Sequence, residues 1–238
     1  MSKVFSVVDV ALLEHCLREV LNLNAPRAMA VLRPLKLTIV NYPADTTETF
    51  SIENNPARPD SGTRPVSFSR TLWVERDDFM EEPVKGYFRL FPGNEVRLMN
   101  AYFVTCTGWE ADDDGNITCL HCTYDPATKG GDAPDGRKVR GTLHWVSAAD
   151  CAECEIRLYD RLFNTENPAG EEGVDYLDNL NPNSLEILSG CLVEGGLKDA
   201  KCGDTFQFMR QGYFCVDKTS QPGKLVFNRT VALNSSWK

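Results

Sequence analysis

A chain of 238 residues with 42% hydrophobic, 25% charged and 10% aromatic side chains carries enough apolar material for one large or two small domains with a real core. It contains no run of about 18 apolar residues, which excludes an apolar membrane-spanning helix. The net charge of −9 argues against a nucleic-acid partner only as an average. Acidic residues concentrate in "ERDDFMEE", "WEADDDGN" and "NPAGEEGVDYLD", whereas basic ones gather in "SGTRPVSFSR", "VKGYFRLFPGNEVR" and "DGRKVRG", so a local basic surface is compatible with an acidic chain.

In chain order, the opening "MSKVFSVVDV" has too short an apolar segment for a signal peptide and lacks a small-residue cleavage site, so a soluble, cytoplasmic protein is expected. Ser6 and Asp9 form a candidate capping box, and Val10, Leu13, Leu17 and Val20 recur at helical spacing, predicting one amphipathic helix. In "NAPRAMAVLR", Asn24 or Ala25 as cap, Pro26 in the first turn and Pro34 as terminator predict a second, short helix.

From Leu35 onward short alternating or apolar runs recur: "LKLTIVNY", "TETFSI", "TLWVE", "EVRLMNAYFVTCTGW", "NITCLHCTY", "KVRGTLHWVSA", "CEIRLYDRLF", "DTFQFMRQGYFCVD" and "LVFNRTVAL". Turn clusters such as "FPGN", "DDDGN" and "PATKGGDAPDG" separate them. Strands at this spacing predict barrels or sandwiches, so the fold class is mainly β after a helical start. No internal repeat or low-complexity linker interrupts the chain.

Enzyme signatures are missing: there is no GxGxxG, GxxxxGK[ST], GxSxG or HExxH. The three histidines are His15 in the first helix, His121 between two cysteines and His144 in "GTLHWVS". A general base needs a partnered cleft that the sequence does not announce, so His15 and His144 are expected to be structural. "ADDDGN" fails the spacing of a calcium loop and reads as a hairpin turn. The sequons at Asn116, Asn228 and Asn234 carry no meaning in a chain without an export signal. This chain alone is not expected to be catalytic.

The blocks "NAPRAMAVLRPLKLTIVNY", "PVSFSRTLWVERDDF", "EVRLMNAY", "DGRKVRGTLHWVSA", "EIRLYDRLF", "LNPNSLEIL" and "FQFMRQGYFCVD…VFNRTVAL" occur in one order. Together they resemble the C-terminal anticodon-binding region of the glutaminyl-tRNA synthetase family over nearly the whole chain. The resemblance implies a helical connector and two β-barrels, the distal one inserted into the proximal one. Mapped by that resemblance, residues 1–33 form the connector, 34–68 with 155–238 the proximal barrel, and 69–154 the distal barrel. The family's catalytic half, with its HIGH-type and KMSKS-type signatures, has no counterpart here, so the chain reads as a segment that begins just before the helices. ATP and Mg belong to that absent half. Implied partners are the glutamine isoacceptor tRNAs and the catalytic domain of the same enzyme, with no membrane and no DNA.

The same resemblance implies the site residues. Arg97 would face the first anticodon base, Arg27 and Gln207 the middle one, and Arg89 with Arg210 the third, with Lys85 and Tyr87 assisting. The chemistry suits them, because bases of a single-stranded loop are splayed, stacked on planar groups and read along their Watson-Crick edges. Without the resemblance, an Arg alternating with apolar neighbours is usually the solvated face of a strand. This chain departs from the pattern at Phe88 and Met99, where some members carry a basic residue, at Ala57, which replaces an amide, and at Asn234, which replaces an Arg. Fewer phosphate contacts, or greater reliance on Arg89 and Arg210, would follow.

Nine cysteines, an odd number with no export signal, point to reduced thiols or metal ligands rather than disulfides. Cys119 and Cys122 flank His121, and Cys151 and Cys154 repeat the CxxC spacing. If "NITCLHCTYD" and "KVRGTLHWVSA" are arms of one hairpin, Cys119 lies opposite the neighbourhood of Trp145, and four sulfurs meet around a structural zinc, with His121 a neighbour. Alternatively, residues three apart on a strand point to opposite faces and the four are core thiols. Many family members lack both pairs, so neither reading bears on base recognition.

Three functions are therefore weighed: anticodon recognition within an ATP-dependent glutamine-tRNA ligase, the equivalent module of an archaeal or eukaryotic-type glutamyl-tRNA synthetase, and a free-standing zinc-stabilised RNA-binding barrel.

Overall fold

A computed structural model describes residues 10–168, 170 and 173–234. The candidate capping box at Ser6 and Asp9 lies outside the described residues. The chain opens with α1 (Val10–Asn24), followed by β1 (Arg27–Ala28), β2 (Ala30–Val31), β3 (Pro34–Ile39), β4 (Thr47–Glu53), β5 (Thr63–Ser69) and β6 (Thr71–Glu75). Next come β7 (Glu95–Leu98), β8 (Phe103–Ala111), β9 (Ile117–Asp125), and the two-residue strands β10 (Thr142–Leu143) and β11 (Val146–Ser147). The last five are β12 (Cys151–Tyr159), β13 (Leu185–Glu194), β14 (Thr205–Phe208), β15 (Gly212–Val216) and β16 (Leu225–Val231).

The predicted first helix forms, but it docks by one edge only. Leu17 and Leu21 pack on Ala25, Tyr213 and Val231, while Val10, Leu13 and Val20 of the predicted stripe stay exposed. Arg18 fastens it by donating from Nε to the Ala232 carbonyl at 2.8 Å. At its C-terminus the orphan carbonyls of Asn22, Leu23 and Ala25 all accept from the buried Asn55 amide at 3.1–3.2 Å, which serves as a cap supplied from a distant loop.

The second predicted helix does not form. Its residues become β1 and β2, with Ala28, Met29, Ala30 and Val31 buried. Backbone groups that a short helix would satisfy internally are taken by strands instead: Gln207 and Met209 amides donate to Pro26 and Ala28, and the Glu194 amide donates to Met29. Pro34, read as a terminator, begins β3. Tertiary pairing overrides local propensity here.

Two seven-stranded sheets result. The first runs β1-β14-β15-β16-β12-β13-β2, and the second β10-β7-β8-β9-β3-β6-β11. In the first, β1 and β2 are separated by Met29 alone yet occupy the two opposite edges. In the second, β10 and β11 are separated by His144 and Trp145 and do the same. Each sheet must therefore curl until its edges meet at one short crossing segment, which makes both sheets barrel-like and leaves few open edges. The β4–β5 hairpin packs outside them through Phe50, Ile52, Val66 and Phe68, and Phe68 makes edge-to-face contacts with Tyr42, Phe50, Tyr102 and Trp145.

One expectation is corrected by the pairing. "NITCLHCTYD" and "KVRGTLHWVSA" are not arms of one hairpin: β9 pairs with β8 and β3, whereas β10 pairs with β7 and β11 with β6. Each sheet draws strands from separate parts of the chain. β3 joins β6 and β9, β1 and β2 join the sheet built mainly from the C-terminal strands, and β12 enters that sheet from Cys151. "DDDGN" is the β8–β9 turn as predicted, with Asp112 Oδ1 accepting from the Asp114 and Asn116 amides. β5 and β13, absent from the predicted strand runs, complete the count.

Candidate functional site

Between the two sheets, at the ends of β6 and β14, a buried carboxylate gathers two of the predicted arginines. β6 ends in a 3-10 turn, Arg76–Asp78, which carries the Asp78 side chain to 0% exposure. Arg210, in the β14–β15 turn, grips it from Nη1 and Nη2 at 2.7 and 2.6 Å. Arg210 holds a left-handed backbone, φ 67°, which a non-glycine residue adopts at a cost, and the paired charge-assisted bonds offset that cost. Arg89 approaches the same carboxylate, Nε to Oδ1 at 3.3 Å, and donates from Nη1 to the Asp77 carbonyl at 3.0 Å. The Tyr87 hydroxyl donates to that same carbonyl at 3.2 Å, and burial, with Asp78 nearby, pushes its phenol up to about 12. Burial works against the charge on Arg210, but Asp78 outweighs it and holds the guanidinium above its ordinary value.

A second ring of polar groups backs this cluster. Buried His144 accepts at Nδ1 from Arg210 Nη1 at 3.3 Å, and its Nε2 lies 3.4 Å from Glu75 Oε1. Glu75 in turn accepts from the Leu32 and Arg33 amides and from Gln211 Nε2. Burial would raise the Glu75 carboxyl, but His144 and the two amides outweigh it, leaving its pKa below the usual carboxylate range. His144, expected to be structural, is fully buried between Arg210 and Glu75. Exposed His15 lies 3.5 Å from Glu19 one helical turn away.

Arg27 and Gln207 are brought together by register: they are Cα partners across the parallel β1–β14 pair and so project from one face. Arg27 donates from Nη2 to Asn22 Oδ1 at 2.7 Å, while its Nη1 and the Gln207 Oε1 are buried without a hydrogen-bond partner in the protein. Burial pulls the Arg27 guanidinium below its ordinary value, although Tyr213 opposes this. Arg27 lines a cleft of about 460 Å³ whose walls include Met29, Phe50, Arg64, Met99 and Met209. Met99, noted as a departure from basic residues, supplies part of its apolar wall.

Arg97 stands apart on β7. Its guanidinium lies over the Phe103 ring at 5.3 Å, Nη2 donates to the exposed Asp132 at 3.1 Å, and Nε is buried without a partner. Arg137 covers the same ring at 5.5 Å and is held by Glu95, Asp125 and Asp135, which raise its pKa. Lys85 is exposed and makes no ion pair among the described residues. Phe88 is exposed and carries Arg140 over its ring at 4.9 Å, so a cation returns to that spot from another segment.

The four predicted zinc cysteines are not gathered. Cys119 and Cys122 lie on β9 in the second sheet, and Cys151 and Cys154 on β12 in the first. Cys122 faces Cys106 across β8–β9, Cys154 faces Cys191 across β12–β13, and all nine cysteines are free. Burial raises the Cys154 thiol, which keeps it protonated. Among the described residues, the one group of three or more ligand atoms close enough to hold a metal is Glu110, Cys119 and His121, which excludes Cys122, Cys151 and Cys154.

The sequence reading missed Asp78 and Glu75, the carboxylates on which the cluster depends. They sit in "VERDDFMEE", an acidic run that reads as solvated surface; the signal available was the short apolar block "TLWV" just before it, which carries its end into the core.

The profile described as "tRNA synthetases class I (E and Q), anti-codon binding domain" matches residues 25–125, and a second profile of the same description matches residues 142–217. A glutamine–tRNA ligase of Clostridium kluyveri is 54% identical over 100% of this chain and 43% of its own length. Those of Nitrobacter winogradskyi, 51% identical over 99% of this chain and 42% of its own, and Pseudomonas putida, 54% identical over 97% and 41%, are similar to it as well. The chain therefore spans less than half the length of these curated relatives. No described helix is long and apolar enough to cross a membrane. With both profiles aligned along the two sheets and the ordered blocks in place, the chain belongs to the anticodon-binding family of the class I tRNA synthetases for glutamate and glutamine.

Proposed function

We propose that the chain reads the CUG and UUG anticodons of glutamine tRNAs as the anticodon-binding part of an ATP-dependent glutamine–tRNA ligase. The profiles cover both amino acids, and the similar relatives named above are glutamine ligases, which favours glutamine over glutamate. In this reading the chemistry with ATP and Mg belongs to the part of those relatives that this chain does not match.

The observation that carries the reading is the Arg27–Gln207 pair. A buried unpartnered N–H donor beside a buried unpartnered carbonyl acceptor is costly unless a ligand completes it. A uracil edge, with a carbonyl acceptor next to an N–H donor, is complementary to such a pair. For the third base, Arg89 and Arg210 are donor-only groups of five N–H each. A guanine edge offers them two acceptors, O6 and N7, whereas cytosine presents an amino donor that an arginine cannot accept. Asp78 orients both guanidinia without consuming all their donors. Arg97, on its aromatic shelf, would take the first base, and Lys85 and Tyr87, in the same segment as Arg89, would assist. The two curled sheets, with their inserted order along the chain, correspond in this reading to the distal and proximal barrels.

The test is binding of the chain to anticodon stem-loops carrying CUG, UUG and UUC over a series of salt concentrations. Tighter binding of the first two at every salt concentration is expected. Equal affinity for all three would sink the reading.

A further inference from the structure

Away from the arginines, on the β8–β9 hairpin, three chemically different ligands converge. Glu110 and Cys119 are Cα partners across the antiparallel pair, and His121, two residues beyond Cys119, projects from the same face. One ligand atom from each lies within 4.8 Å of the other two, and Glu110 Oε1 is 2.9 Å from His121 Nε2. Cys119 is 6% exposed, and the Thr38 hydroxyl of the neighbouring β3 lies 3.5 Å from its sulfur. Thr38 is itself the register partner of His121, so three adjacent strands supply one face of a small polar site.

We propose that Glu110, Cys119 and His121 bind a zinc ion, with water in the fourth position. A thiolate, an imidazole and a carboxylate are the donor set of a borderline metal, and three protein ligands with an open position are a common zinc arrangement. At bond lengths of about 2.0–2.3 Å a tetrahedral zinc holds its ligand atoms about 3.3–3.7 Å apart. The existing spacing reaches this by widening the Glu110–His121 contact and turning the Cys119 sulfur toward it. Thr38 acts outside the ligand set by holding that sulfur. The site uses one cysteine of the two CxxC pairs and is independent of base reading.

The site is tested on the full chain, prepared without a metal-binding tag, stripped with a strong chelator, kept reduced, and titrated with Co(II) and then Zn(II). One equivalent of cobalt is expected to give a thiolate-to-metal charge-transfer band that zinc abolishes. Glu110→Gln and His121→Gln, both at the surface, are expected to weaken binding at least tenfold, and Cys119→Ser to abolish the band. Thr38→Val should weaken binding about tenfold, as loss of an outer-shell partner does. At equal zinc concentration the melting temperature of the parent chain should rise more than that of the Glu110 and His121 variants. Absence of the band at stoichiometric metal, a band indifferent to the Glu110 and His121 variants, or one lost in Cys151→Ser would each overturn the proposal.

Discussion

Arg210 grips the buried Asp78 with both terminal nitrogens, at 2.7 and 2.6 Å, and in doing so joins the two sheets. Asp78 closes the 3-10 turn after β6 of one sheet, and Arg210 lies in the β14–β15 turn of the other. One further polar tie spans the same seam, Gln211 to Glu75, while Arg64 ties the β4–β5 hairpin to Glu194 of β13. Arg89 and Arg210 therefore sit where the two sheets are tied together, and their geometry depends on that tie.

Replacing Asp78 with Asn should destabilise the chain by roughly 2–4 kcal/mol, because removing one partner of a buried pair leaves the other charge uncompensated, while partial exposure of Arg210 moderates the loss. The measurement is the urea midpoint at constant slope. Arg210→Lys keeps the charge but not the two-pronged grip, and should cost less than Asp78→Asn. A shift below about 0.5 kcal/mol for Asp78→Asn would show that the tie is dispensable.

Base-reading and phosphate-contacting roles should separate by salt and by sequence. Arg97→Ala and Arg89→Ala are each expected to relax discrimination at one anticodon position, the first and the third respectively. Replacing a surface lysine that contacts phosphate alone should instead weaken every stem-loop alike and reduce the salt slope by about 0.7. Full retention of discrimination in both Arg variants would remove the assigned roles.

Glu75 sets an acid-side dependence. Its folded pKa lies below the ordinary carboxylate value of 4.5, so its contribution to stability is fully present above that value and is lost as pH falls through the lower folded pKa. The parent chain should lose stability across this window more steeply than Glu75→Gln. Urea midpoints measured from pH 6 downward check this, and parallel curves for the two proteins would contradict it.

Phe68 is fully buried against four aromatic rings from the β4–β5 hairpin and the second sheet. Phe68→Ala should cost about 3–5 kcal/mol through lost contacts and the cavity left behind. Phe68→Leu should cost markedly less. Comparable midpoints for the two variants would place the core of this layer elsewhere.

The amino-acid sequence by itself determined the first helix, the turns at "FPGN" and "DDDGN", the mainly β class, and the family, because periodicity, turn chemistry and ordered blocks are local properties of the chain. What it could not determine was which strand lies beside which. "APRAMAVLR" has a proline and alanines suited to a helix, yet its backbone is claimed by β14 and β13, because edge strands closing a barrel satisfy more donors than one isolated helical turn. The same long-range pairing put Cys119 opposite Glu110 instead of near Trp145, and separated the two CxxC pairs into different sheets. It also drew Arg89 and Arg210 onto one carboxylate from an acidic run that looks solvated. Side-chain chemistry is written residue by residue, but a β-sheet joins residues distant in sequence through backbone hydrogen bonds that every residue can make, so only tertiary packing selects the register and, with it, the site.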